Sequence, residues 1–279
     1  MISNNPLKQY FRQPAIYVRL PSGGQHYTPG AINMPPNGEL PVFPMTAMDE
    51  ITYRTPDALF NGSAVISVIQ SCVPNIVNAW SIPATDLDTL LVAVRIASYG
   101  ANLDIETTCP GCNSANNYGV NLTAMLDQMT VADYHQPLKH GDLEISFRPM
   151  SYQQLNENNQ SQFEHQRMLQ SLPAGDENTP EQLTAIGDAL KRITDITVKS
   201  LSQSISSVRT PDAMVTETEF IEDMLKNCDR ALFNQIRDHV IQLKTAAELR
   251  PLKMRCPDCS NEYDQTITLD MTNFFGDAS

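Results

Sequence analysis

The sequence contains no run approaching the ~18 consecutive apolar residues that a membrane-spanning helix needs, and Met1–Asn5 lacks the basic-then-apolar order of a signal peptide. Both absences point to a protein made and kept in a cytoplasm, with no membrane partner. Positive charge is also scarce: 19 Lys and Arg stand against 32 Asp and Glu, a formal charge of −13. A nucleic-acid surface would need a basic patch against that mean field, and none is visible. Cysteine is too sparse, at six in 279 residues, for a disulfide-stapled secreted scaffold. Catalytic signatures are missing as well. There is no G-x-x-x-x-G-K, G-x-S-x-G or G-x-G-x-x-G, and none of the five histidines stands at helical spacing from an acid and a second histidine. The pattern is that of a protein that is not an enzyme.

What is present is enough apolar residue, 41%, for a substantial core. The pattern divides into five regions. Residues 1–45 are proline-rich: nine of the 19 Pro fall in the first 56 positions, which breaks the chain into short extended pieces. Ile16–Leu20 and Glu39–Pro44 are the two strand candidates and are placed to pair, with Pro21-Ser22-Gly23-Gly24 as a turn between them. Residues 46–100 read as a helical core. Thr46 with Asp49 and Glu50 starts one helix, Ser63 is placed to cap a second, and Thr85 to Tyr99 forms a third, apolar nearly all round and stopped by Gly100.

Residues 101–150 carry a first knuckle, Cys109-Pro110-Gly111-Cys112, between alternating runs at 103–107 and 118–122, then a third such run, Leu143–Phe147. Residues 151–250 show no strand signal and read as a helical insert. Thr179-Pro180, a Thr216/Glu219 capping box and Asp229 mark its helix starts, and Leu183, Ile186, Leu190, Ile193, Leu201 and Ile205 form one helical stripe. Gln153–Gln166 is polar enough to be a solvated or partner-facing helix. Residues 251–279 bring the second knuckle, Cys256-Pro257-Asp258-Cys259, and a closing strand from Tyr263 to Leu269.

The two knuckles are alike beyond their spacing. Each follows a strand candidate and precedes a turn, an Asn and a Tyr, so that Asn117-Tyr118 answers Glu262-Tyr263. Two C-P-x-C turns of this kind suit the four-thiolate zinc ribbon, in which Cys109, Cys112, Cys256 and Cys259 share one structural ion. Iron is an equally acceptable guest of four thiolates. Asn113 and Ser260 follow each second Cys, where a residue tolerant of left-handed backbone is useful. The departure from the usual ribbon is the 143-residue gap between Cys112 and Cys256, which a helical insertion accommodates. Two separate sites, disulfides or free thiols remain the other readings of these cysteines. Redox chemistry is disfavoured, since neither knuckle leads into a helix N-terminus. Cys72 and Cys228 read as buried thiols, and the pairs Asp86/Asp88 and Glu217/Glu219 as first-turn helix acids. The expected fold is therefore α+β: a mostly helical body, a small N-terminal β element, and a split zinc ribbon closed by the C-terminus.

The order Leu20-Pro21-Ser22-x-Gly24-x-x-Tyr27, Pro44-Met45-Thr46-Ala47, Ser98-Tyr99-Gly100 and Cys109-Pro110-x-Cys112 resembles the baseplate proteins of T-even-type contractile-tailed bacteriophages, and within them the hub assembly proteins. The motifs cover about the first 125 residues; the helical insert is only loosely comparable. The resemblance implies a structural or assembly protein of the baseplate hub, working by protein–protein contact and located in the virion tail after assembly in the host cytoplasm. Its partners would be other baseplate and tail proteins, with an oligomeric state set by the tail. A transient chaperone absent from the virion and a non-phage zinc-ribbon adaptor are the competing readings.

Overall fold

The computed structural model describes residues 6–55, 62–130, 132–170, 180–247 and 249–266. Outside them lie the turn expected at Pro56–Asn61, the cap at Thr179 and the end of the closing strand at 267–269; the side chains of Leu183, Ile186 and Leu190 are likewise not described. Helix outweighs strand, 45% against 21%, in an α+β architecture. The chain folds as two compact units, one of residues 1–130 with 248–279 and one of residues 131–247.

In the first unit, β1 (Ile16–Val18) pairs antiparallel with β2 (Leu40–Val42). α1 (Ala47–Tyr53) begins at a complete capping box: Thr46 Oγ1 accepts the Asp49 amide while the Asp49 carboxylate accepts the Thr46 amide at 2.7 Å. α2 (Ser63–Cys72) corrects one expectation. Its N-cap is Gly62 at φ +77°, not Ser63, which is the first helical residue. A glycine reaches that left-handed entry without the Cβ penalty a serine would meet. α3 (Ala84–Tyr99) is the core helix, with Leu87, Leu90, Leu91, Val92, Ala93 and Val94 all buried, and Gly100 ends it at φ +89°. α4 (Leu122–Leu126) follows the first knuckle hairpin, its start capped by Asn121.

Two polar anchors, the half-buried Arg12 and the fully buried Asp86, hold the proline-rich segment. The Arg12 guanidinium donates to the carbonyls of Pro44 (2.5 Å) and Ser71 (2.7 Å) and to Ser71 Oγ (2.8 Å), and it faces Asp49 at 3.4 Å. Nearby, Cys72 is a fully buried thiol, pushed up to about 12 by burial and the Asp49 charge. The second anchor is Asp86. This acid does stand in the first turn of α3, as expected, but it is fully buried and accepts the Ser22 amide at 2.9 Å and the Ser22 hydroxyl at 2.5 Å. It thereby fastens the 20–23 turn, closed by Gly23 N–H to Leu20 C=O at 2.9 Å, onto the core helix. The Tyr27 hydroxyl is buried beside it and driven far above the usual phenol range, first by burial and then by the Asp86 charge.

The second unit holds a four-stranded antiparallel sheet, β5 (Leu138–His140), β6 (Leu143–Phe147), β7 (Ile205–Arg209) and β8 (Met214–Val215), in that order. Its helices are α5 (Tyr152–Gln170), α6 (Pro180–Ser204), α7 (Thr218–Asn227) and α8 (Arg230–Ala247). The expectation of no strand between Ser151 and Leu249 is thus corrected. Ile205 leaves the helical stripe and opens β7, pairing with Phe147 across a bulge at Ser146/Phe147. Ile145, Phe147, Ile205 and Val208 from the sheet pack with Val198, Leu201, Ile221, Leu225, Ile236 and Val240 from the helices. Asp229 caps α8 through the Leu232 amide at 2.8 Å. The Thr216 cap does not form: Glu217 is the N-cap, and its carboxylate accepts the Thr216 amide at 3.0 Å. Among the described residues no helix is long and apolar enough to cross a membrane.

Burial raises the Asp86 pKa, against the opposing hydrogen bonds from Ser22. The folded carboxyl therefore retains a proton that the unfolded one releases above about pH 4, so the associated stability is present at acidic pH and lost as pH rises through the folded pKa. Urea unfolding across this range should show the wild type losing ground to Asp86→Asn as pH increases. A pH-independent difference would show that Asp86 does not titrate between the two states. Asp86→Leu, which orphans both Ser22 donors, should cost roughly 2–4 kcal/mol in the same measurement.

Candidate metal centre

Both knuckles lie in the first unit. β3 (Asn102–Thr108) and β4 (Ala115–Asn121) form one antiparallel hairpin, and β9 (Leu252–Arg255) and β10 (Glu262–Gln265) another. An offset of 147 residues carries Cys109, Cys112 and Asn113 onto Cys256, Cys259 and Ser260. The backbones obey the same offset. Cys109 N–H bonds the Ser114 carbonyl and Asn113 N–H the Cys109 carbonyl, while Cys256 N–H bonds Asn261 and Ser260 N–H bonds Cys256, all at 2.9 Å. Asn113 at φ +57° and Ser260 at φ +56° take the left-handed position that turns the chain back into the second strand, as the sequence led one to expect. The offset also corrects the tyrosine correspondence. Tyr118 aligns with Gln265 and Tyr263 with Asn116, a slip of two residues that keeps each side chain on the same strand face.

The fold brings the four sulfurs together. All four Sγ atoms lie within 4.8 Å of one another, with Cys109 to Cys259 at 3.7 Å and Cys112 to Cys256 at 3.6 Å. A tetrahedron with metal–sulfur bonds of about 2.3 Å has sulfur–sulfur edges of about 3.8 Å, close to the two cross-knuckle distances, so the cluster could hold a metal ion. Each knuckle gives one buried thiol, Cys109 and Cys256, and one exposed, Cys112 and Cys259. Burial works against ionising Cys109. The Gly111 and Cys112 amides and the Cys259 and Cys256 thiols nevertheless donate to its sulfur and lower its pKa to about 6. Cys112 is held up to about 12, because the help of the Ser114 amide is outweighed by its thiol neighbours and by burial. Four thiols this close release a first proton readily and resist releasing the rest, a conflict that a bound cation removes.

Side chains not foreseen from the sequence join the hairpins around the sulfurs. Asn116 Nδ2 points at Cys256 Sγ (3.6 Å), and Asn261 Nδ2 at Cys109 Sγ (3.9 Å). Tyr118 donates to the Arg255 carbonyl at 3.2 Å and meets the Tyr263 hydroxyl at 3.4 Å; Thr107 donates to Gln265 Oε1 at 2.6 Å, and Ser114 to Asp258. The only sequence signal for them was the recurrence of Asn and Tyr near each knuckle. Gly111 sits so close to Asn261 that a Cβ there would lie 3.2 Å from its side chain.

No second cluster of His, Cys, Asp or Glu ligand atoms is found among the described residues. His140 Nδ1 bonds Gln235 at 2.8 Å, and His239 packs on the Phe147 ring at 4.6 Å with its pKa lowered by burial. Cys228 is a half-buried thiol far in sequence from both knuckles.

Compared with known proteins, no curated protein and no solved structure matches the chain. A family described as T4 bacteriophage base plate protein does, over residues 38–276. The match takes in both knuckles and the whole second unit, well beyond the 125 residues that the motifs had suggested, and begins after the Leu20–Tyr27 motif. The chain belongs to the T4 bacteriophage base plate protein family.

Proposed function

We propose that the chain is a structural or assembly component of the baseplate hub of a contractile-tailed phage, and that Cys109, Cys112, Cys256 and Cys259 together hold one structural zinc ion. Membership of the baseplate family supports a role in the virion tail, acting by contact with other baseplate and tail proteins rather than by catalysis. The order of the N-terminal motifs supports the hub. The observation that carries the zinc reading is the sulfur cluster: two knuckles 143 residues apart bring four thiols within 4.8 Å of one another, with two cross-knuckle pairs at 3.6 and 3.7 Å, near the edge of a tetrahedral four-thiolate site. Four protein thiolates fill the coordination sphere, so the ion clamps the hairpins and offers no open position for chemistry. Asn116 and Asn261, each reaching the sulfur of the opposite knuckle, orient and partly neutralise the thiolates.

Purified protein should contain one zinc per chain by elemental analysis, and Cys256→Ser should lose it. Iron would announce itself by visible absorption, and failure of the wild type to take up either metal would overturn the assignment. Four-thiolate zinc contributes on the order of 10 kcal/mol in small peptides. Chelation should therefore expose both hairpins to protease, with new cleavage at 109–112 and 251–266. The sequence alone suggests that the helical insert loosens too. With its own packed core, the 131–247 unit should instead survive as a resistant fragment. Mass spectrometry of purified particles tests the location: peptides of this chain at stoichiometric level mark a retained subunit, and their confinement to assembly intermediates a departing chaperone.

A further inference from the structure

The first unit carries an exposed apolar turn and, separately, a groove whose chemistry suits it. The 3₁₀ turn Pro6–Tyr10 buries none of its residues, and Tyr10 (76% exposed) and Phe11 (55%) stand in solvent. They are not loose: the next residue is Arg12, which is pinned to Pro44, Asp49 and Ser71. A fixed aromatic pair of this kind has the character of an interface anchor. Charge narrows what can cover it. Residues 1–38 contain Lys8, Arg12 and Arg19 and no acid, while the other 241 residues carry all 32 acids against 16 bases. Arg12 and Arg19 are engaged by Asp49 and Glu39, whereas Lys8 makes no ion pair among the described residues.

The groove lies along β1, between that strand and helices α3 and α4, and encloses about 440 Å³. Ile96, Leu126 and Met129 supply apolar wall; of the charged residues lining it, Arg19 and Glu39 pair with each other at 3.0 Å, which leaves Asp127 as the acid with no ion pair among the described residues. One polar feature follows from the register. Tyr17 stands opposite Pro41, which has no N–H, so this is a non-bonded pair, and the Tyr17 amide and carbonyl point away from β2 along the free edge of the strand.

We propose that this protein self-associates head to tail, the 6–11 segment of one copy seating Tyr10 and Phe11 in the β1 groove of a second copy with Lys8 against Asp127. A second copy is the occupant because both complementary halves are present on one chain. The surfaces of two chains of charge −13 repel, and the acid-free segment is the part that can approach an acidic neighbour at least cost. Because donor and acceptor patches differ, the contact is heterologous and builds a ring or an open chain rather than a twofold dimer.

Sedimentation of the full-length protein over a concentration series should show mass growing beyond the monomer. Phe11→Asp should weaken association at least about thirtyfold, as loss of an anchor does. Lys8→Asp and Asp127→Lys should each weaken it about tenfold, and the double exchange should restore it, since like charges then become opposite again. These positions are solvent-exposed, and circular dichroism confirms that each variant is folded. A monomer at every concentration overturns the proposal. So does association that ignores Phe11 and Asp127, or a double exchange that fails to recover.

Discussion

The arrangement of the first unit depends on one long-range meeting, that of the Cys109/Cys112 turn with the Cys256/Cys259 turn. Closing a loop of 143 flexible residues instead of one of 15–20 costs only about 2 kcal/mol more, because closure entropy grows with the logarithm of length. The intervening chain is moreover not flexible: residues 131–247 form a unit with a core of their own. The expensive part is bringing four thiols to within 4.8 Å, where an ionised Cys109 sets Cys112 and Cys259 against losing their own protons. Hydrogen bonds from Tyr118, Thr107 and Ser114 tie the two hairpins to each other, yet these are partly solvated bonds worth roughly 1 kcal/mol apiece. A cation at the centre would supply far more, which is why the polar contacts look like orientation and the sulfurs like the clamp.

The opposite end of the unit solves a different problem, how to order a segment with too many prolines for regular structure. Arg12, half-buried, and Asp86, fully buried, act there as polar anchors that donate or accept several backbone and side-chain bonds at once. Buried charge is a poor source of stability but a good source of uniqueness, since alternative placements of the 12–27 segment would leave a guanidinium or carboxylate without partners. The resemblance motif Leu20-Pro21-Ser22-x-Gly24-x-x-Tyr27 acquires a physical sense in this light. Ser22, in the 20–23 turn, bonds Asp86, and Tyr27, beyond the turn, buries its hydroxyl beside the same carboxyl.

Local chemistry was legible in the sequence and nonlocal pairing was not. The knuckles, the left-handed residues Asn113 and Ser260, the Thr46 box, the Asp229 cap and the Leu143–Phe147 strand each announce themselves within a few residues. β7 does not. Ile205-Ser206-Ser207-Val208 continues the spacing of the helix before it, and only its partner strand some 60 residues earlier makes it extended. Ser63 and Thr216 had the right chemistry for caps and lost to a neighbour: Gly62 because the entry needs positive φ, Glu217 because its own carboxylate reaches the Thr216 amide. Asp86 stands in a first turn as the sequence indicated, but its second role, as a buried anchor for Ser22, has no signature in one dimension.

The division into two units decides how these parts share stability. A metal clamp acts on the ends of the chain that it holds, and the 131–247 unit sits wholly between those ends in sequence. If that unit depended on the clamp for its order, its apolar residues would need the hairpins to complete their packing. Instead Ile145, Phe147, Ile205 and Val208 find their partners on α6, α7 and α8, within the same unit. A chain built this way can vary the body inserted between its knuckles while keeping the hairpins closed, because the closure cost is nearly indifferent to insert length once the insert folds by itself. The two hairpins then fix the topology of the first unit, and the 131–247 unit keeps a core of its own.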